Sequence, residues 1–293
     1  MEKSLLMSGI KTSFKFFALV ICHWSSAQIS GTVIDAEKEK PIPYVNVWVK
    51  NTLIGSTTGV TGNFLINGAK VGDTLYISSL GYYTVEFPSK KENSIMLKPK
   101  IDELDEVVIM PMINSEDYSI QSFKKVKKNR NWYNNGHYSL ARFYSYAPVY
   151  KKTPFIDKIS LITLNSKKEN VIFRIRLVTV DNNGQPSEIG LTESIVLECK
   201  KGVSEVSVDL KAERIIFPED GFFIVVDRLN LKANESYNKF SKSNILQPAI
   251  GMERSEQEKN TWFGFGGKWM APVEMGEFLG TNENIAVNIK LTN

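Results

Sequence analysis

Residues able to do chemistry are few in this chain. It holds two histidines, His23 and His137, and two cysteines, Cys22 and Cys199. A zinc centre needs several nitrogen or thiolate ligands around one ion, and a serine or cysteine nucleophile needs a base beside it. Gly55-Ser-Thr-Thr-Gly59 puts Ser56 off the centre of a Gly-x-Ser-x-Gly elbow, with only His137 left as a base. Asp181-Asn-Asn-Gly-Gln-Pro186 has calcium-like residue types but no ladder of oxygen ligands ending in a bidentate acid, and a hairpin turn accounts for Asn183-Gly184. Glu219 and Asp220 stand beside Gly221 as turn residues do. Gly264, Gly266 and Gly267 lack the spacing of a dinucleotide fingerprint. The expectation is therefore no catalytic residue, no cofactor and no metal. A pair of distant acids assembled by the fold, as glycosidases use, is the one hydrolytic arrangement left open.

Binding chemistry is better represented. Thr261-Trp-Phe-Gly-Phe-Gly-Gly-Lys-Trp269 concentrates four aromatic rings in nine residues. Trp262, Phe263, Phe265 and Trp269 on a sandwich loop would offer flat faces to sugar rings or to a protein, at little cost in side-chain entropy. Closing the core of the surrounding domain is the alternative use of the same rings.

Charge and the N-terminus bound where such a surface would work. Met1 to Ala27 has a basic opening, the apolar run Phe16-Phe-Ala-Leu-Val-Ile-Cys22 and small residues Ser25-Ser-Ala27, the layout of a secretory signal. The apolar run is too short for a permanent membrane span. Cys22 follows Ile21, where the lipoprotein pattern wants a small residue, so lipidation is a motif mismatch. Setting this segment aside leaves 33 basic against 31 acidic residues, and so no reason to expect nucleic acid as a partner. One thiol remains, Cys199, in an apolar run that places it in a core.

From Ile29 the apolar residues alternate at period two in short runs separated by Gly59, Gly62, Gly68, Gly72 and Gly81. Seven such runs predict an antiparallel β-sandwich over residues 28–99. Val45, Val47 and Val49 point into it, and Trp48 points away. Residues 100–136 form a connector, in which Tyr118, Ile120, Phe123 and Val126 suggest a short helix and Lys124, Lys125, Lys127 and Lys128 its solvated face. Eight more runs over residues 137–293 predict a second sandwich, with a jelly roll among its possible arrangements. In the run Val171 to Val180, Arg174 and Arg176 alternate with apolar residues, predicting one core face and one solvent face. The fold class is all-β.

Gly31-Thr-Val-Ile-Asp35, Pro41-Ile-Pro-Tyr-Val-Asn-Val47, Gly55-Ser-Thr-Thr-Gly-Val-Thr-Gly-Asn-Phe64 and Leu80-Gly-Tyr82 together resemble the carboxypeptidase regulatory-like domain, a transthyretin-like sandwich. Leu104-Asp-Glu-Val-Val-Ile109 is similar to the segment that joins this domain to the plug of TonB-dependent outer-membrane receptors. At Gly59 the receptor versions usually carry an acidic residue, so the resemblance implies no ion there. It implies no peptidase either, because two histidines cannot furnish the zinc site of a metallocarboxypeptidase. Fewer than 190 residues follow Ile109, too few for a plug and a large barrel. The second half is more weakly similar to the C-terminal region of exported proteins carrying this domain, at Phe173-Arg-Ile-Arg176, Val180-Asp-Asn-Asn-Gly-Gln-Pro186 and Phe217-Pro-Glu-Asp-Gly-Phe-Phe223.

The combined expectation is a non-catalytic exported protein of a Gram-negative envelope. It would bind an envelope protein or glycan in the periplasm or at the outer membrane, with no transmembrane segment in its mature chain. An envelope hydrolase working through carboxylates of the second domain is the alternative.

Overall fold

A computed structural model describes residues 28–100, 111–121, 123, 138–254, 260–272, 274 and 283–293. The N-terminal segment with Cys22 and His23, the receptor-like segment to Ile109, the lysine cluster and His137 lie outside the described residues. The first unit contains β1 (Gln28–Asp35), β2 (Asn46–Val49), β3 (Gly55–Thr57), β4 (Asn63–Asn67), β5 (Thr74–Ser78), β6 (Val85–Pro88) and β7 (Glu92–Leu97). They form two sheets, β4-β1-β7 and β3-β2-β5-β6. Period-two patterning sets which side chains fill the space between them. Val33, Val45, Val47, Phe64, Ile66, Leu75, Ile77, Ile95 and Leu97 are buried there together. Each contributes about 1.5–3 kcal/mol by leaving water.

One pairing differs from the antiparallel expectation: β7 runs parallel to β1, with Val33 opposite Ile95. The short step from Pro88 to Glu92 carries the chain from one sheet to the other. β7 therefore reaches β1 across the sandwich and not through a hairpin.

The second unit is built from β8 (Asp117–Ile120), β9 (Ser139–Tyr144), β10 (Phe155–Asn165), β11 (Val171–Val180), β12 (Pro186–Gly190), β13 (Ile195–Cys199), β14 (Gly202–Asp209) and β15 (Phe222–Asp227). It continues with β16 (Glu235–Asn238), β17 (Ser243–Leu246), β18 (Ala249–Ile250), β19 (Met252–Arg254), β20 (Thr261–Phe265), β21 (Lys268–Met270), β22 (Glu283–Ile285) and β23 (Val287–Thr292). One large sheet runs β14-β10-β23-β8 with β18 beside β10, and the other runs β12-β11-β15-β9-β20-β21 with β13 beside β11. Ile159, Leu161 and Ile289 from the first meet Leu140, Phe173, Phe222 and Ile224 from the second in one core.

Two expectations are corrected here. Tyr118 and Ile120 belong to a strand and not to a helix: β8 lies along the edge of β23, with Tyr118 opposite Leu291 and Ile120 opposite Ile289. An open sheet edge offers unpaired backbone groups, and pairing with them overrides a weak helical spacing. Ile113 and Asn114 donate their amides to the Asn293 carbonyl at 2.8 and 2.6 Å. The second unit thus draws in residues upstream of 137. Arg214–Phe217, expected as a strand, makes only a single bridge from Ile216 to Phe155. Arg214 sits in the left-handed region at φ 52°, which interrupts extended backbone.

A cleft between the two sandwiches

Trp48 explains how the units meet. Its neighbours Val47 and Val49 fill the first sandwich, while Trp48, 3% exposed, is part of the core of the second. Leu53 and Tyr76 follow it across the boundary. Hydrogen bonds fix the same boundary: Asn230 donates its side-chain amide to the Gly55 carbonyl at 2.7 Å and its backbone amide to Thr57 Oγ1 at 3.0 Å.

The aromatic segment is the hairpin of β20 and β21, hydrogen-bonded through β20 to β9. Strand alternation splits its rings between the two faces of the sheet. Phe263 is buried in the main core, with its ring centroid 4.7 Å from Tyr138, and Phe265 follows on that side, 5.7 Å from Phe263. Trp262 and Trp269 pack on the opposite face against Ala141, Val178, Phe223 and Val225, Trp262 meeting Phe223 edge-on at 6.1 Å. Phe263 is thereby committed to the core, whereas Trp262, Phe265 and Trp269 are half-buried.

The turn of this hairpin docks on the first unit. Gly266 accepts the Asn51 amide at 3.0 Å. Gly267 has φ +84°, and a Cβ there would stand 2.7 Å from the Tyr76 ring. Only glycine suits both the backbone angle and that approach.

A cleft of about 360 Å³ opens beside this junction. Trp48 and Tyr76 from the first unit and Phe265 and Trp269 from the second form its apolar walls. Arg176, Glu188, Asp181, Lys100, Lys268 and Asn46 supply its polar groups. At its base the expected solvent face of β11 is corrected: Arg174 is 2% exposed, because the first unit and Asp227 cover it. Arg174 Nε and Arg176 Nε each donate to Asp227 Oδ2 at 2.8 Å, Arg176 Nη2 donates to Oδ1 at 3.1 Å, and the Ser139 hydroxyl also donates to Oδ1. Burial by itself pushes the Asp227 carboxyl up, but Arg176 and Arg174 outweigh it and hold the group well below the usual carboxylate range.

The two acids that line the cleft, Glu188 and Asp181, are also engaged. Glu188 accepts the Tyr76 hydroxyl at 3.0 Å and the Thr84 hydroxyl. Burial, reinforced by Glu188, raises the Tyr76 hydroxyl far above the ordinary tyrosine value. Asp181 Oδ1 accepts the amides of Asn183 and Gln185, both at 2.8 Å, so this carboxylate closes a hairpin turn. Glu219 and Asp220 occupy the turn in which the Gly221 amide reaches the Pro218 carbonyl at 3.0 Å. Among the described residues there is no group of three histidine, cysteine or acidic side chains arranged to hold a metal. Nor is there a helix long and apolar enough to cross a membrane. Sequence reasoning did not find Tyr76, Glu188, Asn46 or Asp227 for this site, because strands distant in the chain bring them together.

A second cavity, of about 650 Å³, lies between β3, β4 and the segment Asn230–Glu235. Among the described residues, Phe64 is the only aromatic one lining it.

Comparison with known proteins covers mainly the first unit. Residues 29–109 match the CarboxypepD_reg-like domain family. The TonB-dependent receptor SusC of Bacteroides thetaiotaomicron is 36% identical over 106 residues, which is 36% of this chain and 10% of that protein. TonB-dependent receptor P3 of Formosa agariphila is 31% identical over 106 residues, 34% of this chain and 11% of that protein. The chain thus spans about a tenth of the length of these relatives. A DUF3823 family protein from Parabacteroides merdae aligns with 70% of this chain and 98% of its own at 9% identity and a TM-score of 0.19. Residues 29–109 thus match a CarboxypepD_reg-like domain and are similar to a small part of TonB-dependent receptors.

Proposed function

We propose that this protein is a non-catalytic binding module of the Gram-negative envelope, exported to the periplasm or outer membrane, and that it engages an envelope protein or glycan through the cleft between its two sandwiches. The aromatic walls of that cleft carry the proposal, since they come from both units and exist only when the units are docked. Apolar walls with a few convergent polar groups are the usual make-up of a binding site. Hydrolysis is disfavoured in this cleft, because both acids that line it are engaged within the protein. Glu188 and Asp181 already serve as hydrogen-bond acceptors within the protein.

The similarity of residues 29–109 to part of TonB-dependent receptors supports the envelope setting. Fractionation of cells carrying tagged protein tests the location, and recovery in the cytoplasm would overturn it. Pull-down from envelope extract tests the cleft: a partner captured by the wild type should be lost with Trp269→Ala. Equal recovery by both would retire the cleft.

A further inference from the structure

We infer that the open edge of β4 is a docking site for an extended, uncharged polypeptide segment, which joins the sheet β4-β1-β7 as a further strand. This surface is separate from the cleft and does not rest on it.

Among the described residues, β4 pairs with β1 alone. Register fixes which of its backbone groups that pairing uses. The Val33 amide donates to the Gly62 carbonyl at 3.0 Å, whereas the Gly59 amide, on the side away from β1, donates to the Asn63 carbonyl at 2.9 Å. Hydrogen-bonded and non-hydrogen-bonded positions alternate along an antiparallel pair, so Phe64 and Ile66 turn their amides and carbonyls to Gly31 and Ile29. Those of Leu65 and Asn67 therefore face outward, as donors and acceptors for another strand.

The cavity of about 650 Å³ follows this edge, since the core-facing Phe64 and the outward Leu65 both line it. Across it the edge of β3 is already engaged, because Asn230 bonds the Gly55 carbonyl and the Thr57 hydroxyl. Pairing is thus offered by the β4 side. Five residues at about 3.3 Å each give an edge of about 17 Å, the length of an ordinary short strand.

Composition separates β4 from the strands at the opposite edges of the two sheets. Edges are usually guarded by charge or proline. β6 carries Glu86, paired with Lys50, and ends at Pro88, and β7 begins at Glu92 just after Lys90 and Lys91. β4, Asn63-Phe-Leu-Ile-Asn67, has neither guard, and Leu65 stands 48% exposed on it.

Charge and shape select the occupant. Of the residues lining the groove only Lys232 and Glu235 are charged, one of each sign, and Leu53, Ile54 and Leu231 add apolar surface. Such a lining matches an uncharged segment. Leu231, Lys232 and Glu235 wall the groove from the second unit, and a second folded copy would carry the same wall into the same space. A single extended chain therefore fits better than another sheet edge. Its backbone bonds would give affinity, and its alternate side chains, falling towards Phe64 and towards Leu65, would give sequence preference.

Hydrogen exchange of the full chain, followed by NMR, tests the edge. Fluorescence anisotropy with labelled, capped heptapeptides that alternate Thr with Val, Ile, Leu, Phe or Tyr tests the occupant. In the free protein the Leu65 and Asn67 amides should exchange quickly and those of Phe64 and Ile66 slowly, and a bound peptide should slow the first pair about tenfold or more. At least one peptide should bind, and N-methylation of its alternate amides should abolish binding in one register and spare it in the other. Leu65→Lys, at an exposed position, should keep the melting temperature and weaken binding about tenfold or more.

Slow exchange at Leu65 in the free protein, binding by no peptide, an equal effect of both N-methyl registers, or indifference to Leu65→Lys would each overturn the docking site. So would a dimer lost in Leu65→Lys, which assigns the edge to a second copy. Peptide binding lost with Trp269→Ala and kept with Leu65→Lys would move the peptide to the cleft and overturn it too.

Discussion

Arg174 reaches from the second sandwich to the first, where its Nη1 donates to the carbonyl of Tyr44 at 2.6 Å. Tyr44 is in the left-handed region at φ 58°, a conformation costing about 1–2 kcal/mol for a residue with a Cβ. The same guanidinium holds Asp227. A buried ion cluster therefore serves as a clasp on a strained turn of the neighbouring unit.

Removing its single anion should be the more damaging change. Asp227→Asn leaves Arg174 and Arg176 facing each other in a buried site without a counter-charge, and should cost about 3–5 kcal/mol. Arg174→Met leaves Asp227 its contact with Arg176 and should cost less. Urea denaturation of the two variants gives the order, and equal or reversed losses would refute the account.

Acid should act on the same clasp. The folded Asp227 carboxyl lies below its ordinary value, so its contribution is fully present above the unfolded carboxylate pKa and is lost as pH falls through the folded one. Asp35 is lowered as well, first by the backbone amide of Lys38 and then by Glu37 and Tyr82, against burial. Stability measured from neutral pH into the acid range should fall, and the fall should be shallower in Asp227→Asn.

Alkali should report on Tyr82. Burial and then Asp35, which accepts its hydroxyl at 2.9 Å, push this phenol up to about 12. A raised folded pKa means a contribution that is intact below the ordinary value of about 10 and lost as pH rises from there through about 12. Tyr82→Phe should flatten that part of the stability curve, measured by denaturation at stepped pH. An unchanged slope would remove Tyr82 as its source.

These residues also show what a sequence can carry. The seven strands of the first unit were legible because Val45, Val47 and Val49 alternate with other residues between glycine and proline turns, and this pattern is local. It also put Trp48 on the outer face, but not against the second core, since that depends on a partner surface far along the chain. Arg174 and Arg176 alternate as solvent-facing residues do, and their burial follows from Asp227, about fifty positions away, and from the docked first unit. Tyr118 and Ile120 were misread for the same reason: their strand exists because the edge of β23 is open. In the cleft, the clustered Phe265 and Trp269 were visible as candidates, whereas Asn46 and Glu188 are ordinary strand residues until two sandwiches meet over them.

Cys199 offers a simple check on the second core. It is fully buried, and Thr163 Oγ1 lies 2.9 Å from its sulfur. Burial pushes its thiol up, which leaves little thiolate to react. Iodoacetamide at neutral pH, followed by peptide mapping, should leave Cys199 unmodified in the native protein and modify it fully in denaturant. Rapid native labelling would contradict the packing.

The hairpin turn that closes the cleft should tolerate no side chain. Gly267→Ala would place a methyl 2.7 Å from the Tyr76 ring at φ +84°. The ring cannot easily retreat, because its hydroxyl is held by Glu188 at 3.0 Å. Overpacking of this kind costs about 1–3 kcal/mol, and the left-handed backbone adds to it. Because the clash is with one ring, Tyr76→Ala in the same chain should relieve part of the loss, so the double variant should be more stable than the sum of the single losses implies. Strict additivity in denaturation experiments would mean that Gly267 is required for its backbone angle alone, and that the approach of the hairpin to Tyr76 does not hold the two sandwiches together.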